Sequence, residues 1–300
     1  MTSTYLKTMI ICLALVFVLF FSVRIVQTNA ESLELIEAVE EIEINSNEIN
    51  ANEINSKVVE DSGFLRLVNQ ENNLGPNFKP TGLIDYQKIK VNSVALDAYN
   101  TMFLIMEQSG ITGLKLQSAY RPYPYQRAIF EQRVRELVKA GKNKDEAIYL
   151  TSQSIQYPGA SEHQTGLALD VSVSGQLNQA FAETPAGIWL NDHCHKFGFI
   201  IRYPQNKTDV THIIFEPWHL RYVGVPHASI MKNLDLSLEE YHSFLDEVKM
   251  YIYWGDAGDY FLVIHTDVLP EVQLPGLIDV SSDRFGDSPN YIITLHKAGV

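Results

Sequence analysis

Residues 167–173 read LALDVSV, and their alternation constrains the fold more than any other stretch of the chain. A strand puts successive side chains on opposite faces. Leu167, Leu169, Val171 and Val173 then form one apolar face that must pack against another layer. Ala168, Asp170 and Ser172 form the other face, where a carboxylate stands between small neighbours with room for something to bind. Gly166 precedes the strand and permits a turn or a close backbone approach. Across that turn lies His163, seven residues before Asp170. A His and an Asp brought together by a turn are a natural pair of metal ligands.

A third ligand is available in FEPWHLRYVG, residues 215–224. His219 follows Glu216 by three residues, a spacing that projects both to similar sides of one helical turn. Zinc held by two His and one carboxylate keeps a fourth position for water and lowers its pKa to about 7. A nearby Glu can take the proton of that zinc-bound water as general base. The spacing therefore nominates His163, Asp170 and His219 as ligands and Glu216 as base. It does not exclude a plainer reading, because the chain has nine His and no HExxH pattern. Asp170 alone could cap a turn. His193 and His195 are two apart and share no helical face, His212 sits in THIIF, and His227, His242, His265 and His296 show no partner pattern.

The surrounding pattern gives a coarse architecture. Leu96, Tyr99, Phe103 and Met106 recur at helical spacing, and Gly110 and Gly113 end that helix. LKLQSAYR, 114–121, alternates as a strand. Phe130, Val134, Leu137 and Val138 predict an amphipathic helix opened by Pro124, with another over 145–155. Thr184-Pro185 reads as an N-cap with proline at the first helical position, and Gly198 as a stop. FGFIIRY, 197–203, and THIIF, 211–215, are strand-like, and Ser237 with Glu240 forms a capping box. Early helices and strands joined by short turns predict an α+β fold with a small, mostly antiparallel sheet and helices packed on it. The β-rich stretch 246–300 is expected to be a C-terminal extension of unassigned role, a structural addition that could add a hairpin to the sheet or cover the cleft, in preference to a substrate-binding or cell-wall module.

The N-terminal region differs from the rest. Met9 to Val23 is an uncharged apolar run after Lys7, shorter than the roughly 20 residues of a usual membrane span. Residues 1–30 are thus expected to be a signal peptide or a membrane anchor, making the product exported, at the cell surface or otherwise extracytoplasmic. Residues 31–61 are acidic, lack aromatics and repeat NEIN at 47–50 and 52–55, which suits a solvated linker. Outside the apolar run only Cys194 remains, so no intrachain disulfide is available and the fold must hold by packing or by a metal. A net charge of −13 argues against a nucleic-acid groove.

Four motifs in order carry a family resemblance. SEHQTGLALD resembles the SxHxxGxAxD motif of the zinc D-alanyl-D-alanine carboxypeptidases of the VanY type, and EPWHLRYVG their second motif. GFIIRYP, 198–204, resembles their connecting strand, and SAYRPYPYQ, 118–126, their upstream Tyr-Arg segment. The likeness spans about residues 62–245 and implies the small α+β fold shared with the hedgehog signalling domain. By resemblance one Zn2+ per chain is held by His163, Asp170 and His219, and Glu216 is the base. Arg121 stabilises the oxyanion or holds the substrate carboxylate; Tyr120, Gln126 and Ser161 line the pocket, and Trp218 forms a wall. The substrate class implied is peptidoglycan stem peptide, cut by a chain expected to act as a monomer. Pro122 and His212 depart from the family pattern.

Three functions follow as expectations. One is a D,D-carboxypeptidase removing the terminal D-Ala of pentapeptide stems. A second is an L,D-carboxypeptidase or endopeptidase on the same scaffold. A third is a zinc-containing module that binds wall peptide without cutting it, against which Glu216 counts, since a binder has no use for a base.

Overall fold

The computed structural model describes residues 62–255, 259–266, 277–284 and 291–297; the N-terminal apolar run, the acidic linker and LPEVQLPG lie outside them. Ten strands are described: β1 (Leu83–Tyr86), β2 (Ile89–Asn92), β3 (Lys115–Ser118), β4 (Ala168–Ser172), β5 (Phe199–Tyr203), β6 (Glu216–Tyr222), β7 (Met250–Trp254), β8 (Tyr260–Thr266), β9 (Leu277–Arg284) and β10 (Tyr291–Lys297). The main helices are α1 (Ser93–Gln108), α2 (Tyr123–Lys139), α3 (Lys144–Ser152), α4 (Pro185–His193), α5 (His227–Leu234) and α6 (Leu238–Val248). The architecture is α+β, with every described strand pairing antiparallel.

A four-stranded sheet of order β3-β4-β6-β5 carries the motifs. Leu169, Val171, Phe199 and Leu220 leave it on one side and meet Leu96, Tyr99, Met102 and Met106 of α1. Each such side chain contributes roughly 1.5–3 kcal/mol by leaving water. Asn92 starts α1 by accepting from Val94 N and Ala95 N, satisfying donors that the first turn cannot. The cap is also joined to the motif loop, because Asn92 N donates to Gly166 O at 3.1 Å. Gly166 has φ +78°, a backbone conformation that other residues rarely adopt, so the turn requires glycine.

The β-rich C-terminal stretch builds a second sheet of its own, order β7-β8-β10-β9. It packs with α5 and α6 around a second apolar cluster that includes Leu65, Ile200, Met231, Tyr241, Leu245, Val263 and Ile292. Ser237 and Glu240 form the full capping box on α6, and Thr184 caps α4 as the pattern predicts. The segment before α1 acts as a strap. Phe64 O and Arg66 O accept from Arg221, Leu65 O bonds His242 Nε2, and Leu65 N and Ser62 Oγ both donate to Asp283 Oδ1.

Three expectations are corrected. THIIF is no strand: Thr208–Thr211 is one helical turn, His212 stops it in the left-handed region at φ +57°, and Ile214 N bonds Gln153 O rather than a strand. Glu216 and His219 lie on β6, not on a helical turn. Val138 is exposed, so α2 buries only Gln126 and Phe130, a narrower face than its pattern suggests.

Candidate metal centre and active site

β4 and β6 are neighbours, and their register sets Asp170 directly opposite His219. Because Leu169, Val171 and Leu220 take the core side, these two polar residues fall on the other side of the sheet. His163 arrives from a single 3₁₀ turn, Glu162–Thr165, that closes through left-handed Gly166. Residues three apart on a regular strand face opposite ways, yet Glu216 Oε2 lies 3.7 Å from His219 Nδ1. The register explains this: Ile201 pairs Leu220 while Tyr203 pairs Glu216, so β6 carries extra residues at this point. A bulge re-aims a side chain, and here it returns Glu216 to the face of His219.

His163, Asp170 and His219 are all buried, and one ligand atom from each lies within 4.8 Å of the others. His163 Nε2 is 3.2 Å from Asp170 Oδ2, and His219 Nδ1 is 3.2 Å from Asp170 Oδ1. The outer nitrogen of His163, Nδ1, contacts Ala119 O at 2.6 Å, which directs the Nε2 lone pair inward. Asp170 Oδ1 has no hydrogen-bond partner although it is buried. Two imidazoles and a carboxylate around an unsatisfied oxygen form a donor set that suits a tetrahedral metal with one open position.

The electrostatics fit a site built for a cation. Burial works against the Asp170 carboxylate, but His163 and His219 hold its pKa well below the usual range. Burial pulls His163 down despite Asp170, leaving it neutral and able to ligate. Burial also opposes charge on His219, yet the Asp170 and Glu162 carboxylates beside it push it up to about 9, so the site favours positive charge there. Burial lifts Glu216 to about 8, with His219 opposing and Asp170 adding to the rise. Bound metal between these groups would reverse that last effect by favouring the carboxylate.

Arg121 borders the triad. Its Nη2 is 3.6 Å from Asp170 Oδ2, its Nη1 donates to Gln126 Oε1 at 2.9 Å, and its backbone N donates to His163 O. Gln126 is anchored in turn, donating to Gln156 O at 2.6 Å. The structure thus brings together Arg121, Gln126, His163, Asp170, Glu216 and His219. Ser161 is buried just before the 3₁₀ turn. Tyr120 is tied through its backbone to Lys90 O. Trp218 alternates away from His219 and packs against the main apolar core. His212 is exposed on its turn.

Sequence reasoning missed a buried ionic group behind the triad. Glu162, Arg202 and Arg221 have fully buried side chains and pair with one another. All three were present in the quoted motifs, at SEH, IIRYP and HLRYV. The available signal was an arginine in each of two strands that otherwise read as apolar.

Comparison with known proteins adds an independent line. The model of the family "VanY: D-alanyl-D-alanine carboxypeptidase" matches residues 88–225. The Bacillus subtilis protein YodJ is 40% identical over 190 residues, a match covering 59% of this chain and 66% of that protein, so less than two thirds of the relative's length is spanned. A vancomycin-resistance D,D-pentapeptidase VanY, solved in complex with Zn(II), superposes with TM-score 0.54 at 31% identity over 59% of this chain and 98% of that one. The LD-carboxypeptidase LdcB gives TM-score 0.52 at 39% identity over 59% of this chain and 84% of that one. Matching motifs, a matching sheet and near-complete coverage of solved members converge: the chain belongs to the VanY D-alanyl-D-alanine carboxypeptidase family.

Proposed function

We propose that the chain is a zinc-dependent D,D-carboxypeptidase that hydrolyses the terminal D-Ala from peptidoglycan stem peptides. The observation that carries this is the β6 bulge, which sets Glu216 beside His219 on the face shared with Asp170 and His163. His163 Nε2, an Asp170 oxygen and His219 Nδ1 would hold the zinc. When bound, zinc supplies a Lewis acid that polarises the scissile carbonyl and acidifies water.

The chain's own residues account for the rest. Arg121 presents a planar guanidinium fork, which can pair with the substrate's terminal carboxylate or support charge on the carbonyl oxygen during attack. Gln126 holds one arm of that fork in place. Glu216 is nearly buried, so the attacking water's proton passes to a carboxylate screened from bulk solvent. The same carboxyl then delivers that proton to the departing amine.

A second reading has its own support. LdcB, an LD-carboxypeptidase, is 39% identical, against 31% for the D,D-pentapeptidase. The same residues would then act on tetrapeptide stems. We propose further that the enzyme works outside the cytoplasmic membrane, delivered by its apolar N-terminal run; cell fractionation tests this, and a purely cytoplasmic product would overturn it.

The deciding experiment incubates the purified chain with pentapeptide and tetrapeptide stems, with and without zinc, and identifies products by mass. Zinc-dependent loss of one Ala from the pentapeptide alone supports the D,D reading. Loss from the tetrapeptide moves the enzyme to the L,D class with the same site. Cleavage of neither by zinc-loaded protein refutes both carboxypeptidase readings.

A further inference from the structure

Glu162 stands beside His163 in the motif, yet has no part in the reaction just described. Its side chain is fully buried; Oε1 accepts from Arg202 Nε at 2.7 Å and lies 2.8 Å from Arg221 Nη1. Both guanidiniums are held from behind. Arg202 donates through Nη1 and Nη2 to the two oxygens of Glu239 at 2.9 and 2.6 Å. Arg221 Nη2 donates to Phe64 O and Arg66 O at 2.9 and 2.8 Å, and Nε to Tyr222 O at 3.1 Å. Glu162 therefore cannot swing freely.

The other carboxylate oxygen, Oε2, is buried without a hydrogen-bond partner, and so is His219 Nε2. The two atoms face each other at 3.8 Å. A shift of about 1 Å closes the gap to hydrogen-bond length. A buried ionic cluster is a weak source of stability, since apolar residues of equal volume often serve as well. Placed against a metal-facing imidazole, it has a clearer use. The other imidazole shows the same device, with His163 Nδ1 on Ala119 O and Nε2 left for the metal.

We infer that Glu162 is a positioning residue: its Oε2 accepts the Nε2–H of His219, selecting the tautomer whose Nδ1 lone pair faces Asp170 and fixing the angle of the ring. This rests on reading the triad as a zinc site. A proton on Nδ1 instead would block that donor. Arg202 and Arg221 serve by pinning Glu162 through its opposite oxygen, leaving Oε2 for the histidine. Metal-ligating histidines are commonly oriented this way, and loss of the outer partner weakens metal binding by about 10- to 100-fold.

The test measures zinc affinity by chelator competition in wild type, Glu162→Gln and Glu239→Gln. Glu162→Gln should weaken zinc by about 10- to 100-fold. Glu239→Gln loosens Arg202 but leaves the Glu162 carboxylate and its contact with Arg221, so it should lower thermal stability and weaken zinc by less than Glu162→Gln does. Wild-type affinity in folded Glu162→Gln, or an equal loss in Glu239→Gln, overturns the proposal. If Glu162→Gln does not fold, imidazole ¹⁵N spectra of the zinc-loaded wild type decide. A proton on His219 Nε2 with metal at Nδ1 supports the proposal, and the reverse refutes it. Failure to cleave wall peptide would overturn the functional reading and leave these zinc and nitrogen readouts unchanged.

Discussion

Two buried histidines outside the metal triad should make this protein acid-labile well above the pH at which carboxylates titrate. His227 bridges two hydroxyls, Nδ1 to Tyr241 at 2.8 Å and Nε2 to Thr294 at 3.0 Å. Burial pushes it down to about 3, with His242 adding to the shift. His242 bonds Leu65 O at 2.7 Å. Burial pushes it to about 4; Leu65 O and Glu239 oppose the fall while Arg221 and Arg202 assist it. In both, the folded pKa lies below the unfolded value near 6.5. The unfolded state therefore binds more protons below pH 6.5, and stability present above that pH is lost as pH falls toward the folded values. At pH 5 each histidine has lost about 1.5 units' worth, or about 2 kcal/mol, so about 4 kcal/mol together. A domain holds only about 5–15 kcal/mol in all. Denaturant unfolding of the zinc-loaded protein at half-unit steps from pH 7 to 5 measures this, alongside His227→Gln and His242→Gln. Zinc release contributes the same slope to every variant and drops out of the comparison. Each substitution should remove up to about 1.4 kcal/mol per pH unit from the wild-type slope. Variants that keep the wild-type slope would refute the reasoning.

Further predictions concern the site and its support. Glu216→Gln should retain zinc by metal analysis while turnover on a stem peptide falls by about 10²- to 10⁴-fold, the worth of a general base. Arg121→Lys replaces a fork that meets Gln126 and Asp170 with a point charge; kcat/KM should fall by more than tenfold, about 1.4 kcal/mol or more, with zinc affinity unchanged. Gly166→Ala should cost about 1–2 kcal/mol from its left-handed backbone; a midpoint equal to wild type in denaturant would contradict this.

Much of the site is legible in the sequence, for local reasons. LALDVSV alternates without a break, so the face of Asp170 follows from period alone, and Thr184 and Ser237 start their helices by chemistry visible in the residue. Glu216 and His219 are paired correctly for the wrong reason. Three-residue spacing reads as a helical turn, whereas a bulge on a strand achieves the same meeting, and bulges depend on a partner strand the sequence does not display. THIIF has strand composition but finds no pairing partner, so tertiary placement overrides propensity. Glu162, Arg202 and Arg221 look like solvated charges until the strap and α6 close over them. The separate C-terminal sheet is hidden similarly, because alternation locates strands without saying which sheet they join.

The strap has a consequence in time. Ser62 and Leu65 are among the first described residues to be synthesised, and their partner Asp283 lies 221 and 218 positions later. Arg221 waits on carbonyls 157 and 155 positions earlier. Contacts of such separation pay their loop-closure entropy before they are rewarded. The clasp that joins the strap to the sheet of β7–β10 therefore cannot close on a nascent chain that still lacks β9. Until β9 has left the ribosome, Asp283 is missing from the clasp, and the strap stays unpinned at that end.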